Sequence, residues 1–249
     1  VLEGSEAHHA LSVLRVRAGD RVLVLNGGGL GATCEVKSVS RKSVNLGVVE
    51  HFEFERPGYY VTLFQAVLKN KAMDVVIQKA VELGVWRIVP VRCERSVVRF
   101  SGGEVDEKIE RWRSVAIEAI KQCGAPWLPS IEAPKPVREA IHDAGKIEIS
   151  FMAALRSQAR HLREYFISFA EANNRPPRTI AVWIGPEGDF TDAEFAAMEA
   201  SGVLPVTFGP RVLRSETAAL YALAAVNYEM TFVGFGGARS RGNLPNDLA

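Results

Sequence analysis

The stretch Ile184-Gly185-Pro186-Glu187-Gly188-Asp189-Phe190, followed by Thr191-Asp192-Ala193-Glu194, decides how this chain is read. It runs from an apolar, strand-like segment (179–184) through a glycine-containing loop into a helix start. Thr191 as N-cap and Glu194 at the third helical position form a capping box. A second stretch, Phe208-Gly209-Pro210-Arg211-Val212-Leu213-Arg214-Ser215-Glu216-Thr217-Ala218, repeats the strand–loop–helix order, and its helix begins near Glu216 and carries Leu220, Leu223 and Val226. Ligands of open α/β sheets sit beyond the carboxyl ends of the strands. Two such loops therefore predict one shared pocket, where backbone donors hold a polar small molecule and apolar neighbours flank its rings. The simpler reading is that the glycines only permit tight turns. Neither loop matches a Walker A or G-x-G-x-x-G spacing.

Working outward, residues 57–249 alternate strand and helix patterns. Tyr59 to Val67 reads as a buried strand. Asn70 is placed to cap a helix whose apolar face is Met73, Val76, Ile77, Ala80 and Leu83, closed by Gly84. Trp86 to Val91 is the next strand, followed by a long helix, Glu104 to Cys123, with Ile109, Trp112, Ala116, Ala119, Ile120 and Cys123 on one face. Ile147 to Ala153, Thr179 to Ile184 and Leu204 to Phe208 complete the strands. The alternation predicts an α/β domain with a mostly parallel sheet. Residues 1–56 differ: Val22 to Leu25, Ala32 to Ser40 and Ser43 to Phe52 are short β-like runs broken by Asn26-Gly27-Gly28-Gly29. They predict a small β-barrel, and Arg56-Pro57-Gly58 marks the boundary.

Composition narrows the function. The chain has 249 residues, with 30 Lys+Arg against 29 Asp+Glu, so no strongly basic total points to nucleic acid. Cys34, Cys93 and Cys123 are too scattered for a disulfide framework or a zinc site. Among the histidines, His8-His9 precedes the apolar run Leu11, Val13, Leu14, Val16, where packing or capping is expected. His51, His142 and His161 lie far apart, so no metal is expected. No G-x-S-x-G elbow supports a hydrolase. No apolar run approaches the ~20 residues of a membrane span. The opening Val1-Leu2-Glu3-Gly4 lacks signal-peptide features and an initiating Met. A cytoplasmic enzyme, truncated at its start, is the expectation.

Arginines are placed unevenly. Arg92, Arg95 and Arg99 follow a strand with only Glu94 to offset them, and Arg15, Arg17 and Arg21 mark the small N-terminal part. Such runs are commonly solvated faces. The alternative is contact with RNA phosphates, which needs a local stripe rather than a basic protein.

With these residues in view, the chain resembles the RsmE family, 16S ribosomal RNA (uracil-N3)-methyltransferases of the SPOUT class. The resemblance runs over nearly the whole chain: His8-His9 with Val13-Leu14-Arg15 and Gly19-Asp20; Met73-Asp74 with Ile77-Gln78-Lys79-Ala80 and Glu82-Leu83-Gly84; Glu94-Arg95-Ser96-Val97-Val98; Gln122-Cys123-Gly124; Ile184 to Gly188; and Leu213 to Ala218. It implies a PUA-like β-barrel that helps hold RNA, and a SPOUT α/β domain whose C-terminal trefoil knot binds S-adenosylmethionine. By resemblance, Ile184, Gly185, Glu187 and Gly188 line one wall of the cofactor site. Leu204, Phe208, Gly209, Val212, Leu213, Ser215, Thr217 and Ala218 line the other. The resemblance also implies a homodimer and, as partner, the 16S rRNA of the small ribosomal subunit; on the charge reading above, Arg15, Arg17, Arg92, Arg95 and Arg99 are the expected RNA contacts. Asp189 stands where the family often has a second glycine, Ala125 where it often has arginine, and Ser215 where threonine is frequent.

Methyl transfer to uracil N3 needs in-line approach and loss of the N3 proton. Arg214 or Arg95 is the expected cation for the uracil anion, and Glu216 a group that orients the loop or accepts the proton. For Glu216, stabilisation of its helix N-terminus is the competing reading. Two alternatives stay open: a SPOUT methyltransferase acting on another base or a ribose, and a non-catalytic RNA-binding assembly protein.

Overall fold

A computed structural model of the chain describes residues 1–98, 103–154, 156 and 158–232. The chain divides into two compact units, one holding residues 1–56 and the other beginning at Pro57.

In the first unit β1 (Leu2–Glu3), α1 (Gly4–His8), β2 (Arg21–Leu25), β3 (Leu30–Val39) and β4 (Ser43–Glu53) follow one another. The strands form an antiparallel four-stranded sheet in the order β1-β4-β3-β2, the half-barrel of a PUA-like fold. Asn26 folds the β2–β3 turn: its Oδ1 accepts from the backbone N–H of Gly28 (2.7 Å) and of Leu30 (3.0 Å), the Asx turn that makes asparagine a turn residue. The core is small, with Ala10, Val16, Val36 and Val44 at its centre. A π-helical turn, His9–Val13, leaves Val13 and Leu14 exposed, so the apolar run after His8-His9 is only partly packed.

The second unit comprises β5 (Tyr60–Ala66), α2 (Asn70–Glu82), β6 (Arg87–Arg92), α3 (Glu104–Cys123), β7 (Ser130–Ile131), β8 (Lys135–Pro136) and α4 (Val137–Ala144). These are followed by β9 (Ile149–Ala153), α5 (Leu162–Asn173), β10 (Thr179–Ile184), α6 (Asp192–Ala200), β11 (Leu204–Val206) and α7 (Ser215–Phe232). Its seven-stranded sheet runs β11-β9-β10-β5-β6-β7, with β8 also on β6, and every recorded pairing in it is parallel. Successive side chains of a strand face opposite sides, and both sides are covered. Val61 and Leu63 of β5 and Ile180, Val182 and Ile184 of β10 join the apolar faces of α2, α3 and α7. Phe64 and Ala66 of β5 and Ala181 and Trp183 of β10 join α4 and α6. This is why the strands read as unbroken apolar runs.

Several local expectations shift. Asn70 is the first residue of α2 rather than its cap: Lys69 holds that position in extended backbone, with no side-chain cap. Cys123, expected on the buried face of α3, is exposed because the helix ends there at Gly124, whose φ of 69° closes it in the left-handed region. The strand expected over 204–208 stops at Val206. Helices α4 and α5 carry only a weak signal in the sequence. The first buries only a narrow Val137–Ala140–Ala144 stripe and the second only Leu162 and Phe166. Among the described residues no helix is long and apolar enough to cross a membrane, and no cluster of three metal-ligating side chains forms.

One ion pair ties together the entries of the neighbouring strands β9 and β10. Arg175 donates from Nη2 to Glu148 Oε1 (2.6 Å) and from Nη1 to Oε2 (3.2 Å), and the Arg178 N–H adds a bond to Oε2 (2.5 Å). The Arg175 guanidinium, helped by that N–H against partial burial, lowers the Glu148 carboxyl from 4.5 to about 2. A carboxyl depressed on folding contributes stability above its unfolded value and loses it as pH falls through the folded one. Thermal melts across pH 4.5 to 2 should therefore show Tm falling less steeply in Glu148→Gln than in the parent. Parallel curves would contradict this role for the pair.

Candidate functional site

The carboxyl ends of β9, β10 and β11 open into one pocket. It measures about 630 Å³ counting the space open to solvent, within the usual range of small-molecule sites. Three walls meet there. Ile184, Gly185, Pro186, Glu187 and Asp189 come from the loop after β10; Phe208, Gly209, Arg211, Val212 and Leu213 from the loop after β11, with Ser215 and Ala218 on the first turn of α7; and Ala153 and Ala154 from the end of β9.

The first loop is locked from within. Asp189 takes a φ of 59°, a left-handed backbone that aspartate tolerates better than most residues and glycine adopts freely. Its N–H donates to the Pro186 carbonyl (2.9 Å) and its Oδ1 accepts from the Phe190 N–H (2.8 Å). The side chain thus does locally what a second glycine would do by conformational freedom. The helix that follows is capped as expected: Thr191 Oγ1 accepts from the Glu194 N–H (3.3 Å), and Glu194 Oε2 accepts from the Thr191 N–H (2.9 Å).

The second loop is joined to the first by Ser215. Its buried hydroxyl donates to the Gly185 carbonyl (2.6 Å) and accepts from Gln65 Nε2 (3.0 Å). Gln65, fully buried at the end of β5, also donates to the Ala66 carbonyl (3.0 Å). Among the described residues its buried Oε1 has no hydrogen-bond partner, an acceptor left over beside Ser215 of the pocket.

Arg95 secures the first loop from outside. Nη1 donates to the carbonyls of Gly188 (2.9 Å) and Phe190 (3.4 Å), and a Cβ on Gly188 would lie 3.4 Å from that of Arg95. One residue earlier, the Glu94 N–H donates to Glu194 Oε1 (2.8 Å). Below this junction Cys93 is buried. Burial, with the Glu194 and Asp189 carboxylates against a Ser96 bond, pushes its thiol up to about 12, so it is no nucleophile.

Of the residues expected to line a cofactor site, Ile184, Gly185, Glu187, Phe208, Gly209, Val212, Leu213, Ser215 and Ala218 do line this pocket. Gly188, Leu204 and Thr217 lie outside its lining. Gly188 turns toward Arg95, and Leu204 opens β11 at the amino end of that strand. Thr217 is exposed, because on α7 the residues at i and i+3, Ser215 and Ala218, share the inward face.

Arg214 is exposed between two lining residues, and its carbonyl starts the α7 ladder by accepting from the Ala218 N–H (2.8 Å). Glu216 sits in the first turn of α7, outside the lining. Arg92 is exposed at the end of β6. Arg99 lies outside the described residues. Arg15 and Arg17 are exposed in the first unit, Arg15 with a φ of 54°. Sequence reasoning missed Ala153, Ala154, Pro186, Asp189 and Arg211 as lining. Only the last three were within reach of a sequence signal, since they belong to the two glycine loops.

Comparisons with known proteins agree in direction. Residues 55–227 match a family described as an RNA methyltransferase domain, and residues 2–49 one described as an RNA methyltransferase PUA domain. The ribosomal RNA small subunit methyltransferase E of Bacillus subtilis is 28% identical over 232 residues, covering 92% of this chain and 89% of that protein. Its Synechocystis namesake is 31% identical over 229 residues, 91% of this chain and 72% of that protein. A putative methyltransferase from Legionella pneumophila, solved with bound SAM, superposes with a TM-score of 0.81 at 31% identity over 91% of this chain and 90% of that one. The SAM-bound ribosomal RNA small subunit methyltransferase E of Neisseria gonorrhoeae gives 0.77 at 28% identity, over 91% and 90%.

Proposed function

We infer the reaction from the lineage: the chain belongs to the ribosomal RNA small subunit methyltransferase E family, RNA methyltransferases that carry a PUA domain. It is a SAM-dependent enzyme that methylates 16S rRNA of the small ribosomal subunit, and we propose N3 of one uridine as the acceptor. The observation that carries this reading is the pocket where the loops after β10 and β11 meet through the Ser215–Gly185 bond, in a chain whose SAM-bound relatives superpose along nine-tenths of its length.

The residues present fit S-adenosylmethionine. Ile184, Phe208, Leu213 and Ala218 offer apolar walls for a purine. The Glu187 and Asp189 carboxylates suit hydroxyls or a cationic centre, and Arg211 suits a carboxylate. The orphaned Gln65 Oε1 is a spare acceptor next to Ser215. The C-terminal helix is read as threaded in the trefoil knot of the SPOUT class.

When bound, the cofactor supplies an electrophilic methyl group, so that an N3–C bond forms as the S–C bond breaks and the N3 proton passes to a base or to water. The chain's own residues position and stabilise. Arg214, exposed at the pocket's edge, is the proposed cation beside the uracil as N3 gains negative charge. Arg95, whose guanidinium is engaged by loop carbonyls, holds the cofactor loop in shape. Arg95→Ala should weaken SAM affinity about five- to tenfold in a calorimetric titration, since a charge-assisted bond contributes about 1.5–3 kcal/mol before solvent exposure reduces it. Its Tm should stay near the parent's, and an unchanged Kd would discard the tether.

Glu216 stabilises the start of α7 through the helix dipole, a contribution of about 0.3–1 kcal/mol. Glu216→Gln should therefore keep the single-turnover rate within about twofold, whereas removing a general base costs about 10²–10⁴. A hundredfold fall would assign Glu216 the proton.

The homodimer belongs to the same reading. Val212, Tyr221 and Tyr228 are exposed on α7 and the loop before it, and Tyr221 packs against the pocket-lining Phe208 with ring centroids 5.0 Å apart. Light scattering on the eluted protein tests it, with twice the chain mass expected. Titration with SAM tests the pocket itself. Saturable one-site binding is expected, and its absence would favour a non-catalytic RNA-binding protein.

A further inference from the structure

Beyond the cofactor pocket, the same carboxyl edge of the sheet carries a second cavity. β5 links the two: Gln65 at its end bonds Ser215 of the first, and Val67, Leu68 and Lys69 just after it line the second. The rest of the lining comes from α2 (Met73, Asp74), from Val98 and from α3 (Lys108, Arg111, Trp112), around about 390 Å³ counting space open to solvent.

Its chemistry is divided. Val67, Leu68, Met73 and Trp112 are buried and Val98 is half-buried, giving an apolar floor. Three cations, Lys69, Lys108 and Arg111, stand against a single carboxylate. That carboxylate is already committed: Asp74 accepts from Arg111 Nη2 through Oδ2 (2.5 Å) and from Nε through Oδ1 (3.3 Å). The pair fixes the guanidinium on α3 by a residue of α2 and leaves its remaining N–H groups for another acceptor. Lys69 and Lys108 make no ion pair among the described residues. A cavity lined by apolar side chains and three cations complements a nucleotide, whose base is apolar on its faces and whose phosphate is anionic. Met73-Asp74, a motif noted in the sequence, has no part in the cofactor pocket and lines this cavity.

We propose that this cavity seats the nucleotide of the RNA substrate adjoining the methylated one, its base on the Val67–Met73–Trp112 floor and its phosphate against Lys69, Lys108 and Arg111. The inference rests on the methyltransferase reading, because it takes RNA as the substrate. It makes recognition of the target's neighbour a property of the α/β unit itself.

The test uses the full chain, a small-subunit rRNA fragment that the parent methylates, and the double variant K69A/K108A. RNA affinity should fall about tenfold at moderate salt. The slope of log K against log salt should shrink by up to about 0.7, the change expected when one phosphate contact is lost on a single strand. SAM affinity should be unchanged. In a second arm the parent protein is given fragments abasic at the position before or after the target uridine, and one of the two should bind at least fivefold more weakly. Unchanged RNA affinity and salt slope in the double variant would overturn the proposal. So would a loss of SAM affinity in it, which would make the cavity part of the cofactor site, or indifference to both abasic positions. A parent protein that fails to bind SAM would instead strike at the methyltransferase reading, so the two failures are distinct.

Discussion

Arg214→Gln is expected to lower the single-turnover methylation rate about a hundredfold while leaving SAM affinity within about threefold. The expectation follows from where the side chain stands. Its neighbours Leu213 and Ser215 both line the pocket, and its own carbonyl is fixed by the first hydrogen bond of α7. The exposed guanidinium is therefore carried on a backbone anchored to the start of α7, at the pocket edge where the proposed reaction brings the RNA base. Neutral uracil becomes a useful nucleophile only as N3 gives up its proton, and the negative charge that develops is what a preorganised cation stabilises. Removing one such donor typically costs 10²–10³ in rate. A variant that loses SAM binding and rate together would place Arg214 on the cofactor instead, and an unchanged rate would remove it from the chemistry.

Trp183→Ala should be the most destabilising single change in the site's foundations, by about 3–5 kcal/mol. Trp183 is fully buried and lies opposite Phe64 in the β10–β5 register, with ring centroids 3.9 Å apart and planes at 5°. Its indole Nε1 donates to Ser150 Oγ (2.9 Å) on β9, so one side chain pins the three central strands directly below the two loops. Truncation leaves a ring-sized cavity and a buried hydroxyl without its donor. Denaturant unfolding would measure the change, and Trp183→Phe, which keeps the ring, should recover more than half of it. A loss below 1 kcal/mol would mean that the strands are held elsewhere.

What the sequence disclosed and what it hid divide along physical lines. The Thr191–Glu194 capping box, the two glycine loops and the unbroken apolar strands are local patterns, and each appears in the fold where its spacing put it. Contacts distant along the chain left no such trace. The Gln65–Ser215 bond joins residues 150 apart and the Arg95–Gly188 bond residues 93 apart, and no periodicity encodes either. The third wall, Ala153 and Ala154, went unread because a small residue at a strand end bears no chemical mark. Its place depends on β9 lying between β10 and β11. Arg95 shows the limit most clearly: its charge alone gave no hint that its Nη1 reaches the Gly188 and Phe190 carbonyls of the loop after β10.

The near-neutral total of 30 Lys+Arg against 29 Asp+Glu is compatible with RNA chemistry because the charges are placed, as around the Lys69–Lys108–Arg111 cavity. The central claim, methylation of uridine N3 in small-subunit rRNA, is tested most directly by mass analysis of ribosomal RNA nucleosides from cells with and without the gene. The account predicts 3-methyluridine in the parent, its loss on deletion and its return when purified protein and SAM are added to small subunits from the deletion strain. Persistence of 3-methyluridine in the deletion strain would contradict it.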